Sequence, residues 1–203
     1  AIRVPAHPDA RALIDAARVP VAAPSANLFS RPSPTEASHV LDDLDGRIDL
    51  VLDAGPTSVG VESTVLDLTG PVPVILRPGA ATLEAIRMVL PYTTYASSTA
   101  SMATVPQIAP GLLEKHYSPR APLTLYEGDE DAVLAKLLSD ARTARAAGLR
   151  VGLALASEDR ASGPDVDAAF VVCVIGPLRD PTASASGLYR ALRELDASGA
   201  DLI

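Results

Sequence analysis

Four short stretches of the chain join a turn-forming residue to a polar group able to meet an anion. They are Arg3-Val4-Pro5, Ala23-Pro24-Ser25-Ala26-Asn27, Glu62-Ser63-Thr64-Val65 and Leu76-Arg77-Pro78-Gly79. In the second, an extended segment runs into proline and small polar residues, a geometry expected to leave Ser25 and Asn27 at a sheet edge with free donors. A polar turn that satisfies only its own backbone is the alternative for each stretch taken singly. Arg77 precedes Pro-Gly, so a rigid corner would hold its guanidinium either for bidentate contact with phosphate or carboxylate or simply at the surface. Ser33 opens Ser33-Pro34-Thr35-Glu36, the pattern of a capping box, and a helix N-terminus there would also offer N–H groups and a positive dipole end to a phosphate.

Other chemistries find no support. The histidines His7, His39 and His116 lack the paired spacing of a metal motif, and the single cysteine, Cys173, lies in an apolar run that reads as buried core. No G-x-S-x-G elbow surrounds the serines, and Gly148-Leu149-Arg150-Val151-Gly152 is not a dinucleotide fingerprint. A net charge of −8 is the wrong sign for holding a polyanion, and an aromatic content of 3% supplies no base-stacking platform, so stable nucleic-acid binding is not expected. Neither a long apolar span nor a basic leader is present, which makes a cytoplasmic, membrane-free protein the expectation.

The elements that must position these groups follow from periodicity. Helical faces run through residues 8–17, and through a helix after Ser33 that places Ala37, Val40, Leu41 and Leu44 on one side. Strands are expected at 19–23, 50–53, 63–68 and 74–76, the last two joined by the turn Thr69-Gly70-Pro71, with a helix at 82–90. Residues 91–110 lose apolar periodicity and read as an interdomain linker. Beyond it come strands at 123–126, 150–155 and 170–175 and helices at 130–147 and 181–198, an alternation that implies a parallel sheet with helical crossovers. Asp201-Leu202-Ile203 reads as the start of another strand, so the chain is expected to be cut there.

Taken in order, IRVPAHP from Ile2, PSANLFSRPSPT from Pro24, DAGPTSVGVESTVLDL from Asp53, ILRPG from Ile75 and PGLLEKHYSP from Pro110 resemble the YrdC-type threonylcarbamoyl-AMP synthase family. The resemblance is to its two-domain members and extends weakly to GLYRALRELD from Gly187. It implies an α/β chain: half of a YrdC-like twisted domain at 1–91, a linker or lid at 92–120, and a small Rossmann-like domain at 121–203. It also implies a nucleotidyltransferase that turns threonine, bicarbonate and ATP, with magnesium, into threonylcarbamoyl-AMP and pyrophosphate. A tRNA threonylcarbamoyl transferase machinery would be the consumer.

By the same resemblance Arg3, Ala23 and Ser63 meet threonine, Ser25, Asn27, Ser33 and Arg77 meet ATP, and His116 and Tyr117 close the lid. No covalent nucleophile is implied, because the carbamate formed on threonine can attack the α-phosphate directly. The lid departs from the family pattern, with Leu112-Leu113-Glu114-Lys115 after Pro-Gly. Family members also begin with a Lys-Arg-Pro-type segment carrying further contacts. Nothing comparable precedes Ala1, so the chain is expected to hold half a pocket and to have little activity alone. A carbamoyl-transferring relative of hydrogenase maturation proteins and a noncatalytic RNA-binding module are the competing classes. The C-terminal domain argues against the first and the negative charge against the second.

Overall fold

A computed structural model describes residues 1–96, 117–162 and 170–203. His116 and most of the expected lid lie outside the described residues.

The N-terminal unit opens on α1 (Pro8–Ala17), capped by the His7 ring accepting from the Asp9 N–H and ended by Arg18 in the left-handed region. Helix α2 (Ala37–Leu44) starts later than a capping box at Ser33 requires, with Glu36 at its N-cap and no side-chain cap. The reason is competition: the Ser33 hydroxyl donates to Glu62, and the Thr35 N–H is taken by His39 Nδ1 at 3.2 Å. The face of α2 is also not the expected one. It buries His39 and Asp43, while Leu41 is 47% exposed, because a basic partner described below covers the polar side.

A three-stranded sheet follows, ordered β1 (Val65–Asp67), β2 (Val74–Arg77), β3 (Thr94–Tyr95). The antiparallel β1–β2 hairpin turns where expected, Asp67 accepting from the Thr69 N–H and hydroxyl, and Ile75 forms the buried centre. Helix α3 (Leu83–Arg87), capped by Thr82, returns the chain to β3, which runs parallel to β2 within the stretch read as linker. Residues 19–23 and 50–53 form no strand. An extended segment becomes a strand only by pairing, and these find no ladder partner among the described residues; Leu50 and Leu52 stay 83% and 62% exposed.

The C-terminal unit is the expected parallel α/β layer. Helix α4 (Glu130–Ala146) is capped by Asp129 and leads to β4 (Gly152–Ala156), then the short α5 (Ser157–Ser162), β5 (Val171–Gly176) and α6 (Pro181–Ala197). Gly148, at φ +90°, ends the α4 turn. Strands β4 and β5 pair in parallel, and Val151 bridges Leu202, also in parallel. Alternation along β4 then builds two cores: Val151, Leu153 and Leu155 against Ala141 of α4, and Ala154 with Cys173 against Ala191 and Leu195 of α6. Residues 123–126 form no strand of their own, yet Thr124 N–H donates to Ile203 O at 2.8 Å and Ile203 N–H to Pro122 O at 2.9 Å.

Helix α6 presents a second, polar face to the N-terminal unit. Arg193 is buried there: Nε and Nη2 donate to Pro32 O at 3.1 and 2.6 Å, Nη1 to His39 O at 3.4 Å, and Nη2 to Asp43 at 2.8 Å. Asp43 also receives Arg31 and the Leu28 N–H. Burial alone would raise the Asp43 carboxyl, but the hydrogen bonds from Arg193 and Arg31 outweigh it and hold the group below the usual carboxylate range. Removing one member of such a buried pair strands the other, a loss of about 3–5 kcal/mol.

Candidate functional site

A cleft of about 870 Å³ opens in the N-terminal unit between the start of α1, the loop before α2, and residues 51–63. Its wall carries Arg3, His7, Ser25, Ser33, Thr35, Glu36, Ser58, Glu62 and Ser63, with Tyr189 of α6 reaching in from the other unit. Arg3 is exposed on that wall. Four of the residues singled out in the sequence, Arg3, Ser25, Ser33 and Ser63, thus meet in one cavity although 60 positions separate the first from the last. Arg3 and the serine hydroxyls, set among the carboxylates of Asp9, Glu36, Asp53 and Glu62, make a wall suited to holding a polar ligand that carries both kinds of charge.

One rim of the cleft is a hydrogen-bonded hub. Arg77, at the end of β2, donates through Nε and Nη2 to Ser63 O at 3.1 and 2.9 Å and through Nη1 to the Tyr117 hydroxyl at 2.9 Å. Glu62 lies 3.7 Å from the same guanidinium and accepts from the Ser33 hydroxyl. Tyr117 stacks on Tyr189 at 5.8 Å, and burial, followed by the nearby Glu62 charge, pushes its phenol pKa up. Tyr189 is pushed up as well, first by burial and then by the same Glu62 charge. Gly79 lets the turn after Arg77 lie against this strip, since a Cβ there would stand 2.4 Å from Glu62 O and from Thr64 N.

The other expected residues are placed differently. Arg77 is a strut between Ser63 and Tyr117 rather than a guanidinium held open for a ligand. Asn27 has no free donors: its Nδ2 serves Leu28 O at 2.9 Å and Arg31 O at 3.2 Å, and its Oδ1 is buried without a partner. Ala23 is exposed and does not line the cleft. Tyr117 reaches the rim as expected of a lid residue, with φ +54°. Among the described residues no group of three or more His, Cys, Asp or Glu side chains could hold a metal ion, and no helix is long and apolar enough to cross a membrane. Glu62, Tyr189, Asp43 and Arg193 were not singled out by sequence reasoning. Glu62 stood inside a chosen cluster, but a carboxylate gave no reason for selection where an anion site was sought.

Comparison with known proteins covers both units. The Sua5–YciO–YrdC family model, described as telomere recombination, matches residues 1–79, and the model described as threonylcarbamoyl-AMP synthase, C-terminal domain, matches residues 81–203. The threonylcarbamoyl-AMP synthase of Bacillus subtilis is 42% identical over 203 residues, covering 100% of this chain and 56% of the relative. That of Pyrococcus abyssi is 38% identical over 204 residues, covering 100% of this chain and 57% of the relative. The crystal structure of P. abyssi Sua5 complexed with L-threonine superimposes with a TM-score of 0.86 at 37% identity, over 99% of this chain and 56% of that one. The chain therefore spans a little over half the length of the curated relatives it matches.

Proposed function

Because the chain belongs to the threonylcarbamoyl-AMP synthase family, we propose that its cleft is the threonine- and ATP-binding part of such a synthase. The observation that carries this reading is the convergence of Arg3, Ser25, Ser33 and Ser63 on one cavity. The L-threonine named with the P. abyssi structure supports threonine as one ligand. In this reading Arg3 pairs with the threonine carboxylate and Ser63 contacts the same substrate, while Ala23, outside the cleft wall, is given no part. Ser25 and Ser33 lie on the side given to the nucleotide, and Asn27 holds the loop that carries them through Leu28 O and Arg31 O. Arg77 acts there through the Ser63 and Tyr117 it holds, and Tyr117, with His116, belongs to the lid.

The reaction takes threonine, bicarbonate and ATP to threonylcarbamoyl-AMP, pyrophosphate and water. The threonine amine adds to carbon dioxide derived from bicarbonate. A carbamate oxygen then attacks the α-phosphorus, and pyrophosphate leaves with the electron pair of the broken P–O bond. Magnesium arrives with ATP as part of the substrate. The chain's own task is to place carbamate and α-phosphate in line and to keep donors on the developing charge. Arg3 supplies such donors from the cleft wall, while the Ser33 hydroxyl, which donates to Glu62, fixes the shape of that wall. The product's consumer would be a machinery that transfers the threonylcarbamoyl group to tRNA, and a cytoplasmic location is part of the proposal. The domain division is proposed at 1–91, 92–120 and 121–203.

The test is calorimetric titration of threonine, and of Mg-ATP with and without threonine, into this chain. The same titrations are made on the chain joined to the part of the B. subtilis relative that it does not cover. Threonine-dependent ATP binding by the joined protein, lost in Arg3→Ala, is the expected result. Saturable binding of neither ligand by the folded joined protein would sink the reading.

A further inference from the structure

Helix α6 carries two stripes. Gly187, Ala191 and Leu195 face its own sheet: a Cβ on Gly187 would stand 2.0 Å from Ile175 O, and Ala191 and Leu195 pack on Cys173. On the opposite side, at helical spacing, Ser186, Tyr189, Arg193 and Asp196 each hold a different piece of the N-terminal unit or of the chain leading from it. The backbone of Ser186 lies against Gly60 of the cleft loop, where an added Cβ would meet Ser186 O at 2.3 Å. Tyr189 lines the cleft and stacks on Tyr117. Arg193 grips Pro32 O, one residue before Ser33. The Asp196 carboxylate accepts from the Arg120 N–H at 2.8 Å and from the Ala121 N–H at 3.2 Å.

We propose that α6 is the element by which the C-terminal unit sets the geometry of the cleft, with Arg193 as the positioning residue for the Ser33 loop. Arg193 touches no position a substrate would occupy; it acts through the Pro32 carbonyl. A guanidinium can do this where an ammonium cannot. Its planar fork spans the Pro32 and His39 carbonyls and the Asp43 carboxylate together, whereas a lysine offers one compact charge on a flexible stem. The loop it fixes is also held by the Thr35 N–H to His39 and the Thr57 N–H to Thr35 O, at 3.2 and 2.8 Å, by the Ser33 hydroxyl to Glu62 and by Arg31 to Asp43. His39 is itself tied to Arg193 through its carbonyl. Releasing Arg193 therefore loosens the loop at the Pro32 carbonyl and at His39 together, while the α6 face toward β5 keeps the C-terminal unit folded.

The proposal rests on reading the cleft as a threonine and ATP site, and the experiment separates the two. Amide hydrogen exchange is measured on the whole 203-residue chain and on Arg193→Lys, which keeps a cation beside Asp43. Exchange at Thr35 and Thr57 is expected to rise at least tenfold, with the amides of β4 and β5 unchanged. Threonine and Mg-ATP affinities in the joined protein are expected to fall at least tenfold with the same substitution. Arg193→Met, which removes the fork while Asp43 keeps Arg31 and the Leu28 N–H as partners, provides a second arm with the same local loosening expected. Unchanged protection at Thr35 and Thr57 in both variants would overturn the proposal, as would a uniform rise across both units. If the joined protein binds neither ligand, the functional reading falls and the exchange result alone decides the role of α6.

Discussion

Gly60 and Gly55 form a matched pair of glycines in the cleft loop, and substituting each by alanine tests how closely that loop is docked. Both have a positive φ, +74° and +85°, so each alanine incurs the left-handed penalty of about 1–2 kcal/mol. They differ in surroundings. An added Cβ at Gly55 meets nothing within 4 Å, whereas at Gly60 it would stand 2.3, 2.5 and 2.7 Å from the O, Cα and C of Ser186. Those atoms are helix backbone, so no rotamer change relieves the overlap, and loop and α6 must separate by roughly 1 Å to restore an ordinary contact. Overpacking of that kind adds about 1–3 kcal/mol. Gly60→Ala should therefore lose about 1–3 kcal/mol more than Gly55→Ala in urea unfolding, followed through circular dichroism with the denaturant slope checked for constancy. Equal losses would refute the close approach of the two units at this point.

Three further outcomes are expected. His39 is held below its ordinary pKa of 6.5, first by burial and then by the Arg193 cation, so the folded state binds fewer protons than the unfolded state as pH drops through that region. Its contribution to stability is full above about 6.5 and lost as pH falls through the depressed value. The urea midpoint should decline below pH 6.5, and the decline should flatten in His39→Gln but not in His7→Gln. Cys173, 8% exposed, has its thiol pushed up to about 12 by burial and then by Glu194, so a thiol reagent at pH 8 should leave the native chain unlabelled and modify the thiol in urea. Asp180 accepts from the Thr182 and Ala183 N–H groups at the start of α6, and Asp180→Ala should cost about 0.5–2 kcal/mol by the same unfolding measurement.

The C-terminal unit was the most legible in the sequence, because its strands are short apolar runs between long amphipathic helices whose partners lie in the same unit. The N-terminal unit was less so, for two physical reasons. Residues 19–23 and 50–53 have strand composition, but pairing is a property of neighbours, and composition does not report it. Ser33-Pro34-Thr35-Glu36 has capping-box spacing, yet the hydroxyl found a stronger acceptor in Glu62, 29 positions away, than a local N–H. The four cleft residues were readable as polar groups at turns. The stripe on α6 was not, since a polar helix face that docks on another unit has the same pattern as one that faces water. The burial of Tyr189 and Arg193, each 9% exposed, reveals the difference in the structure.

The same stripe bears on the order in which the molecule assembles. Arg193 reaches Asp43 across 150 positions and Pro32 across 161, so the contacts that hold the Ser33 loop are among the most distant in sequence. Closing loops of that length carries a large entropic cost, which the chain recovers only after the parallel sheet beneath α6 has formed. During ribosomal synthesis the N-terminal unit would emerge with its cleft loop held only by its own contacts, Ser33 to Glu62 and Thr35 to His39 among them, until residues 181–197 had left the ribosome. Any copy of the chain that stops short of residue 181 lacks the Arg193 braces on the Ser33 loop.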